Sequence, residues 1–272
     1  MSEMDEKKID RRSFIKLSAV GLAAATAGIA WTNEQKGAQV EKHRASPGPG
    51  GESPHRWAMV IDQEKCVGCE QCILACKAHN DIAPDIAWTH MEKVKPVGQQ
   101  EVYLPVQCQH CEEAPCVDIC PVGASYYRPD GIVMMDYDRC IGCRYCEIAC
   151  PYGARSFNWE KFDGDNPVVP AWGQPEVPRR PRGVVEKCTF CFQRIDRGLE
   201  FGMTPGVDQA ATPVCVVACP RKARVFGDLN DPDSEVSKLL ANHPHFQLRE
   251  DLGTGPRIYF LPPDGGEQEE QV

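Results

Sequence analysis

The chain has 272 residues, a formal net charge of −9 and 16 cysteines. That acidity excludes a nucleic-acid partner, whose phosphates need a basic surface, and the length allows one large domain or two small ones. With 23 glycines, 23 prolines and only 8% aromatic residues, loops are abundant. Aliphatic side chains look too sparse for a large core, so the cysteines are the candidates for holding the chain together.

At the N-terminus Asp10, Arg11, Arg12, Ser13, Phe14, Ile15 and Lys16 precede an apolar, small-residue-rich stretch at 17–30. That stretch is shorter than the about 20 apolar residues a transmembrane helix needs. A charged start, a modest apolar run and small residues at Gly28, Ile29 and Ala30 describe a signal peptide over 1–30. An ordinary amphipathic helix is the competing reading. The arginine pair followed by Ser-Phe-Ile-Lys resembles the twin-arginine export signal. The resemblance implies a protein exported already folded, with its cofactor inserted, and a periplasmic destination. Residues 31–55 read as a flexible linker, with Gly37, Pro47, Gly48, Pro49, Gly50, Gly51 and Pro54 among polar residues. No later apolar run is long enough to span a bilayer, so the mature chain is expected to be soluble, with no direct transmembrane anchor.

The cysteines fall into four groups of four. Group one is Cys66, Cys69, Cys72 and Cys76, and group two is Cys108, Cys111, Cys116 and Cys120, followed by Pro121. Group three is Cys140, Cys143, Cys146 and Cys150, followed by Pro151. Group four is split: Cys188 and Cys191, then Cys215 and Cys219, followed by Pro220. No cysteine is left over, and each group supplies the four thiolates of one [4Fe–4S] cluster, so four clusters are predicted. The run C-x2-C-x2-C-x3-C with its trailing Cys-Pro is the known bacterial ferredoxin pattern. Such a loop wraps the chain around an inorganic core and turns backbone N–H groups toward it. Gly68 and Gly142 lie inside the first C-x2-C, where a residue without Cβ permits close approach. Two readings compete. Eight disulfides suit an oxidising compartment, but cysteines three apart on a tight loop rarely pair with each other. Zinc ribbons share the C-x2-C element but are built from two knuckles.

Each of the first three groups follows a short β-like run, at 57–61, 102–106 and 132–135, and the fourth follows 183–185. Strand-like runs also close groups two, three and four, at 124–127, 154–157 and 223–226. Short helices are predicted at 114–120, 144–150 and 213–219. The predicted fold class is α+β: two bacterial-ferredoxin-like two-cluster modules of short strands and short helices, spanning 56–230. Metal binding here is also folding free energy, since little else orders these loops. Residues 157–187 interrupt the repeat with Trp159, Trp172, five prolines and Arg179, Arg180 and Arg182. This insertion is either a surface loop packed on its own protein or a docking surface, because Trp and Arg are typical interface anchors. Residues 231–272 are expected to form a helix, capped by Asp233 or Ser234 with Val236, Leu239 and Leu240 on its apolar face, then a strand and an acidic tail.

The four groups, their order and the split fourth group resemble the four-cluster iron–sulfur subunit of the dimethyl sulfoxide reductase superfamily, with tetrathionate and polysulfide reductase subunits nearest in pattern. The segments around Asp136-Tyr137-Asp138-Arg139-Cys140, Glu186-Lys187-Cys188-Thr189-Phe190-Cys191 and Gly227-Asp228-Leu229-Asn230-Asp231-Pro232 carry the likeness, which covers about residues 56–262. It implies an electron relay between a molybdenum or tungsten pterin catalytic subunit and a membrane quinone-reactive subunit or cytochrome. It also implies crossed ligand sets. Cys66, Cys69 and Cys72 join Cys219, and Cys188, Cys191 and Cys215 join Cys76. Cys108, Cys111 and Cys116 join Cys150, while Cys140, Cys143 and Cys146 join Cys120. An electron-transfer subunit of a periplasmic hydrogenase or formate dehydrogenase is the alternative. A catalytic role in this chain is not expected: His79, His90, His110, His243 and His245 are scattered and no phosphate loop is present.

Overall fold

A computed structural model describes residues 53–97 and 100–263. The segment expected to be a signal peptide, nearly all of the expected linker and the acidic tail lie outside the described residues. The first elements are β1 (Trp57–Asp62), α1 (Gln71–His79), β2 (Thr89–Val97) and β3 (Gln100–Gln107). Then come α2 (Pro115–Asp118), β4 (Ser125–Tyr127), β5 (Val133–Met135), α3 (Tyr145–Ile148), β6 (Ser156–Phe157) and β7 (Val185–Glu186). The last are α4 (Phe192–Glu200), α5 (Val214–Val217), β8 (Arg224–Asp228), α6 (Glu235–Asn242) and β9 (Ile258–Leu261).

Strand β1 is the spine. It pairs antiparallel with β8, Met59 opposite Phe226, and parallel with β9, Met59 opposite Ile258. Both of its faces are covered, which explains why Trp-Ala-Met-Val-Ile reads as a continuous apolar run rather than an alternating one. One face turns Trp57, Met59 and Ile61 into a core with Phe226, Ile258 and Phe260. The other packs Ala58 and Val60 against Val236 of α6. Cys72, Cys76, Cys108, Cys188 and Cys215 sit within that same main core, so sulfur supplies part of what the scarce aliphatic side chains do not.

The β1–β8 pair brackets groups one and four, and the antiparallel β4–β5 hairpin lies between groups two and three. The β6–β7 pair joins the end of group three to the start of group four. Strand β2, which no apolar pattern announces, makes a long hairpin with β3. Helices α2, α3 and α5 have four residues each, and α2 begins with Pro115, whose missing N–H costs nothing at a helix start. Ser234 caps α6 by accepting from the Ser237 N–H at 3.2 Å.

The insertion is folded back on its own chain. Arg179 pairs with Asp81 at 3.0 Å, and Arg180 is buried against Glu186 at 2.8 Å. Asn166 donates to the Lys77 and Ile82 carbonyls, and Glu176 accepts from His79 and Arg194. These contacts strap residues 164–180 across the C-terminal end of α1. Two of the three arginines that suggested a docking surface are therefore consumed internally, and Arg182 donates to the Trp159 carbonyl.

A backbone repeat underlies the whole architecture. The second residue after the first cysteine of every group is left-handed: Gly68 at φ 67°, His110 at 46°, Gly142 at 68° and Phe190 at 54°. Gly142 is also crowded, because a Cβ there would collide with the Gly183 carbonyl oxygen, whereas Gly153 at φ 58° faces open space. Gly142→Ala is expected to destabilise the metal-loaded protein by about 2–3 kcal/mol and Gly153→Ala by about 1 kcal/mol. Urea unfolding of the two variants, with iron retention measured alongside, checks the ranking.

Candidate metal centre

Every group presents its thiols from the same local construction: a left-handed turn after the first cysteine, then a short helix that carries the third or fourth. In group one Gln71 opens α1 after a left-handed Glu70 (φ 59°), and in group three Arg144 (φ 64°) precedes α3; in group four a left-handed Cys191 (φ 50°) precedes α4, which carries no cysteine, and Cys215 lies on α5.

The fold then brings sulfurs of different groups together. Cys66, Cys69 and Cys72 line one cavity with Cys219, roofed by Met91 and Arg224. Cys76 does not line that cavity. Burial pushes its thiol well up, and the nearby charges of Cys191, Cys188 and Cys215, and then of Cys72, add to that push. Burial raises Cys111 to about 12, with Cys108, Cys116 and Cys150 as its sulfur neighbours. Cys146 is likewise raised by burial and feels Cys116 and Cys120. The last cysteine of each group thus lies among the thiols of a different group. None of the sixteen forms a disulfide.

Opposing the desolvation are donors aimed at sulfur. The Ala223 N–H reaches Cys219 Sγ at 3.2 Å and the Ser125 N–H reaches Cys120 Sγ at 3.4 Å. Asn80 Nδ2 stands 3.6 Å from Cys76 Sγ and 3.8 Å from Cys191 Sγ. Hydrogen bonds of this kind favour the thiolate, the form that binds metal. Arg155 Nη2 donates to Cys116 Sγ at 3.0 Å.

The residues present fit a polynuclear iron–sulfur core. Among the described residues no three His, Cys, Asp or Glu side chains converge closely enough to grip a single metal ion, whereas a cubane carries its four ligands further apart. Several buried donors also lack partners among the described residues: Arg155 Nε, Arg224 Nη2 and His110 Nε2. His110 accepts the Val133 N–H at Nδ1, which leaves its proton on the orphaned Nε2. Buried donors without acceptors are costly, and inorganic sulfide is an acceptor of the required sign. His110 stacks on Phe190 at 3.8 Å, so it belongs to the cysteine loops.

Four residues of this site have no place in the cysteine pattern: Asn80, Arg155, Lys187 and Arg224. A signal for two of them exists. Arg155 and Arg224 each stand five residues after the trailing cysteine of their group, in Cys-Pro-Tyr-Gly-Ala-Arg and Cys-Pro-Arg-Lys-Ala-Arg, and group two has Ser125 at that place.

The fold and the site together define a ferredoxin-like protein that binds [4Fe–4S] clusters. A 4Fe-4S dicluster domain matches residues 99–164 and another residues 139–223, and a 4Fe-4S binding domain matches 57–78. A Halobacterium salinarum protein assigned as an iron-sulfur subunit of dimethyl sulfoxide reductase is 44% identical, covering 75% of this chain and 78% of its own length. The iron-sulfur subunit of the arsenate respiratory reductase of a Shewanella species is 39% identical over 76% of this chain and 96% of its own. A subunit of the tetrathionate reductase of Salmonella typhimurium is 36% identical over 81% of this chain and 76% of its own. The chain belongs to the family of iron–sulfur subunits of the dimethyl sulfoxide reductase superfamily. Its role is electron transfer, not catalysis.

Thiols that share a centre must perturb the same signal when replaced. Cys219→Ser is expected to alter the EPR feature that Cys66→Ser alters, and Cys76→Ser the one that Cys191→Ser alters. Unrelated changes within either pair would refute the crossing.

Proposed function

We propose that the chain holds four [4Fe–4S] clusters in two ferredoxin-like modules and relays electrons between a membrane quinone-reactive partner and a molybdenum or tungsten pterin catalytic subunit. Each cluster supplies a one-electron redox site. The ligand sets are Cys66, Cys69, Cys72 and Cys219; Cys188, Cys191, Cys215 and Cys76; Cys108, Cys111, Cys116 and Cys150; Cys140, Cys143, Cys146 and Cys120. The observation that carries this reading is the cavity shared by Cys219 with three group-one thiols.

The sets are ordered by the thiols that interact from one set to the next. Cys215 feels Cys72, Cys188 feels Cys108, and Cys146 feels Cys116. That gives a chain from group one through four and two to three. Cys69 and Cys143 are the two exposed cysteines, one in each terminal set. Around Cys143 lie exposed apolar side chains, Ile141 at 63%, Tyr145 at 55%, Ile148 at 80% and Trp159 at 55%. Exposed apolar surface on this scale suits contact with another protein of the complex. The N-terminal arginine pair supports export by the twin-arginine route to the periplasm. The role of residues 157–187 is then internal along their strap and external at Trp159.

Anaerobically purified protein is expected to hold about 16 iron and about 16 acid-labile sulfide per chain; stoichiometric zinc without sulfide would sink the reading. Replacing Arg11 and Arg12 together by Lys is expected to leave the protein in the cytoplasm, since the pathway reads the guanidinium pair and not charge alone. Normal periplasmic accumulation of that double variant would count against the route.

A further inference from the structure

Six basic side chains besides His110 are buried among the described residues: Arg155, Arg180, Lys187, Arg194, Arg224 and Arg257. Three of them have a carboxylate. Arg180 meets Glu186 at 2.8 Å, Arg194 meets Glu176 at 2.5 Å, and Arg257 lies 3.8 Å from Glu112. The partners of the other three are neutral or sulfur. Arg155 donates to Ser125 Oγ at 2.6 Å, Met135 Sδ at 3.0 Å and Cys116 Sγ at 3.0 Å, and its Nε has no partner. Arg224 donates to Gln107 Oε1 at 2.6 Å and leaves Nη2 without one. Lys187, fully buried, donates to the Val133 and Cys188 carbonyls. A buried charge without a counter-ion is strongly disfavoured, so an anion is missing from each account.

Their positions are as selective as their partners. Arg155 hydrogen-bonds Cys116 Sγ and also acts on Cys146 and Cys108; Lys187 donates to the Cys188 carbonyl and acts on Cys108 and Cys116; Arg224 lines the cavity of Cys66 and Cys72 and acts on Cys215 and Cys188. Each therefore faces two ligand sets at once: groups two and three for Arg155, four and two for Lys187, one and four for Arg224. Every junction of the proposed chain has one such cation, and the carboxylate-paired cations lie elsewhere.

We propose that Arg224, Lys187 and Arg155 are junction cations: each offsets part of the negative charge of the two centres on either side of it and raises both reduction potentials together. The inference rests on the ligand sets proposed above. An added electron makes a centre more negative, and a fixed positive charge in a low-dielectric interior favours that reduced form. Because one cation serves both neighbours, an electron crossing the junction leaves one favourable field for another. At the Arg224 and Arg155 junctions no proton need accompany it, since these guanidinium groups keep theirs.

The test is an EPR-monitored redox titration of the full complex, with iron quantified in each sample. Arg155→Gln, which keeps donors but removes charge, is expected to lower the reduction equilibrium of two centres about tenfold, about 59 mV for one electron, and to leave the others in place. Lys187→Met and Arg224→Gln are expected to shift two different pairs, consecutive pairs having one centre in common. Arg155→Lys and Arg224→Lys are expected to restore the wild-type potentials. Unshifted potentials with full iron would overturn the proposal, as would a shift shared by all centres or one equally large in the Lys variants. Loss of iron from both the Gln and the Lys variants would overturn it too, by assigning these side chains a packing role. A wild-type preparation with well under about 16 iron per chain would instead remove the ligand sets themselves, and the proposal with them.

Discussion

Thiolates gathered into one small volume repel each other, and burial enlarges that repulsion by removing the water that would screen it. Most of the molecule can be understood as an answer to this. The thiols of Cys76, Cys188 and Cys215 are all pushed upward by burial before any neighbour is counted. They become usable ligands only where amide N–H groups, Asn80, a guanidinium or a metal offsets that cost. The left-handed residue two positions after each first cysteine recurs at Gly68, His110, Gly142 and Phe190, and at Phe190 the amide N–H donates to Cys188 Sγ at 3.5 Å.

The hydrophobic core is organised around the same need. Strand β1 joins segments far apart in the chain by pairing with β8, Trp57 opposite Asp228, and it buries Met59 and Ile61 beside the cysteine loops. Apolar burial and metal binding are therefore not separate sources of stability. A loop held only by thiolates would have to lose its conformational entropy entirely on cluster binding, whereas one already packed on β1 has lost part of it in advance.

The strap from the 157–187 insertion serves a related end. Glu176 gathers His79, Arg194 and Arg197, and although burial would raise its pKa, the His79 hydrogen bond and the Arg194 charge outweigh that and hold it below the usual carboxylate range. This ties α1, which carries Cys76, to α4, which follows Cys191. Two thiols from distant parts of the chain are thereby kept next to each other, with Asn80 between their sulfurs. Trp159 remains outside this lock, with the Arg144 guanidinium 4.5 Å over its ring.

Much of the fold is legible from residue order. The cysteine spacing, the trailing Cys-Pro and the short apolar runs locate strands β1, β3 to β8 and helices α2, α3 and α5, because local spacing alone decides whether a loop can wrap a cluster. The helical start at Ser234 is readable for the same reason: a cap is settled by its next three residues. Strand β2 is not legible, because His90-Met91-Glu92-Lys93 has no apolar alternation and its strand character comes from pairing with β3. Nor are His110 and Phe190 recognisable as left-handed, since neither is a glycine and only the closure of the loop demands that conformation. The inward turn of Arg179 and Arg180 depends on Asp81 and Glu186, far away or across a bend. Likewise, although Arg155 and Arg224 each stand five residues after a trailing cysteine, nothing along the chain marks either of them, or Lys187, as buried. Charge is visible in one dimension, but burial without a carboxylate is a relation among segments that meet only on folding.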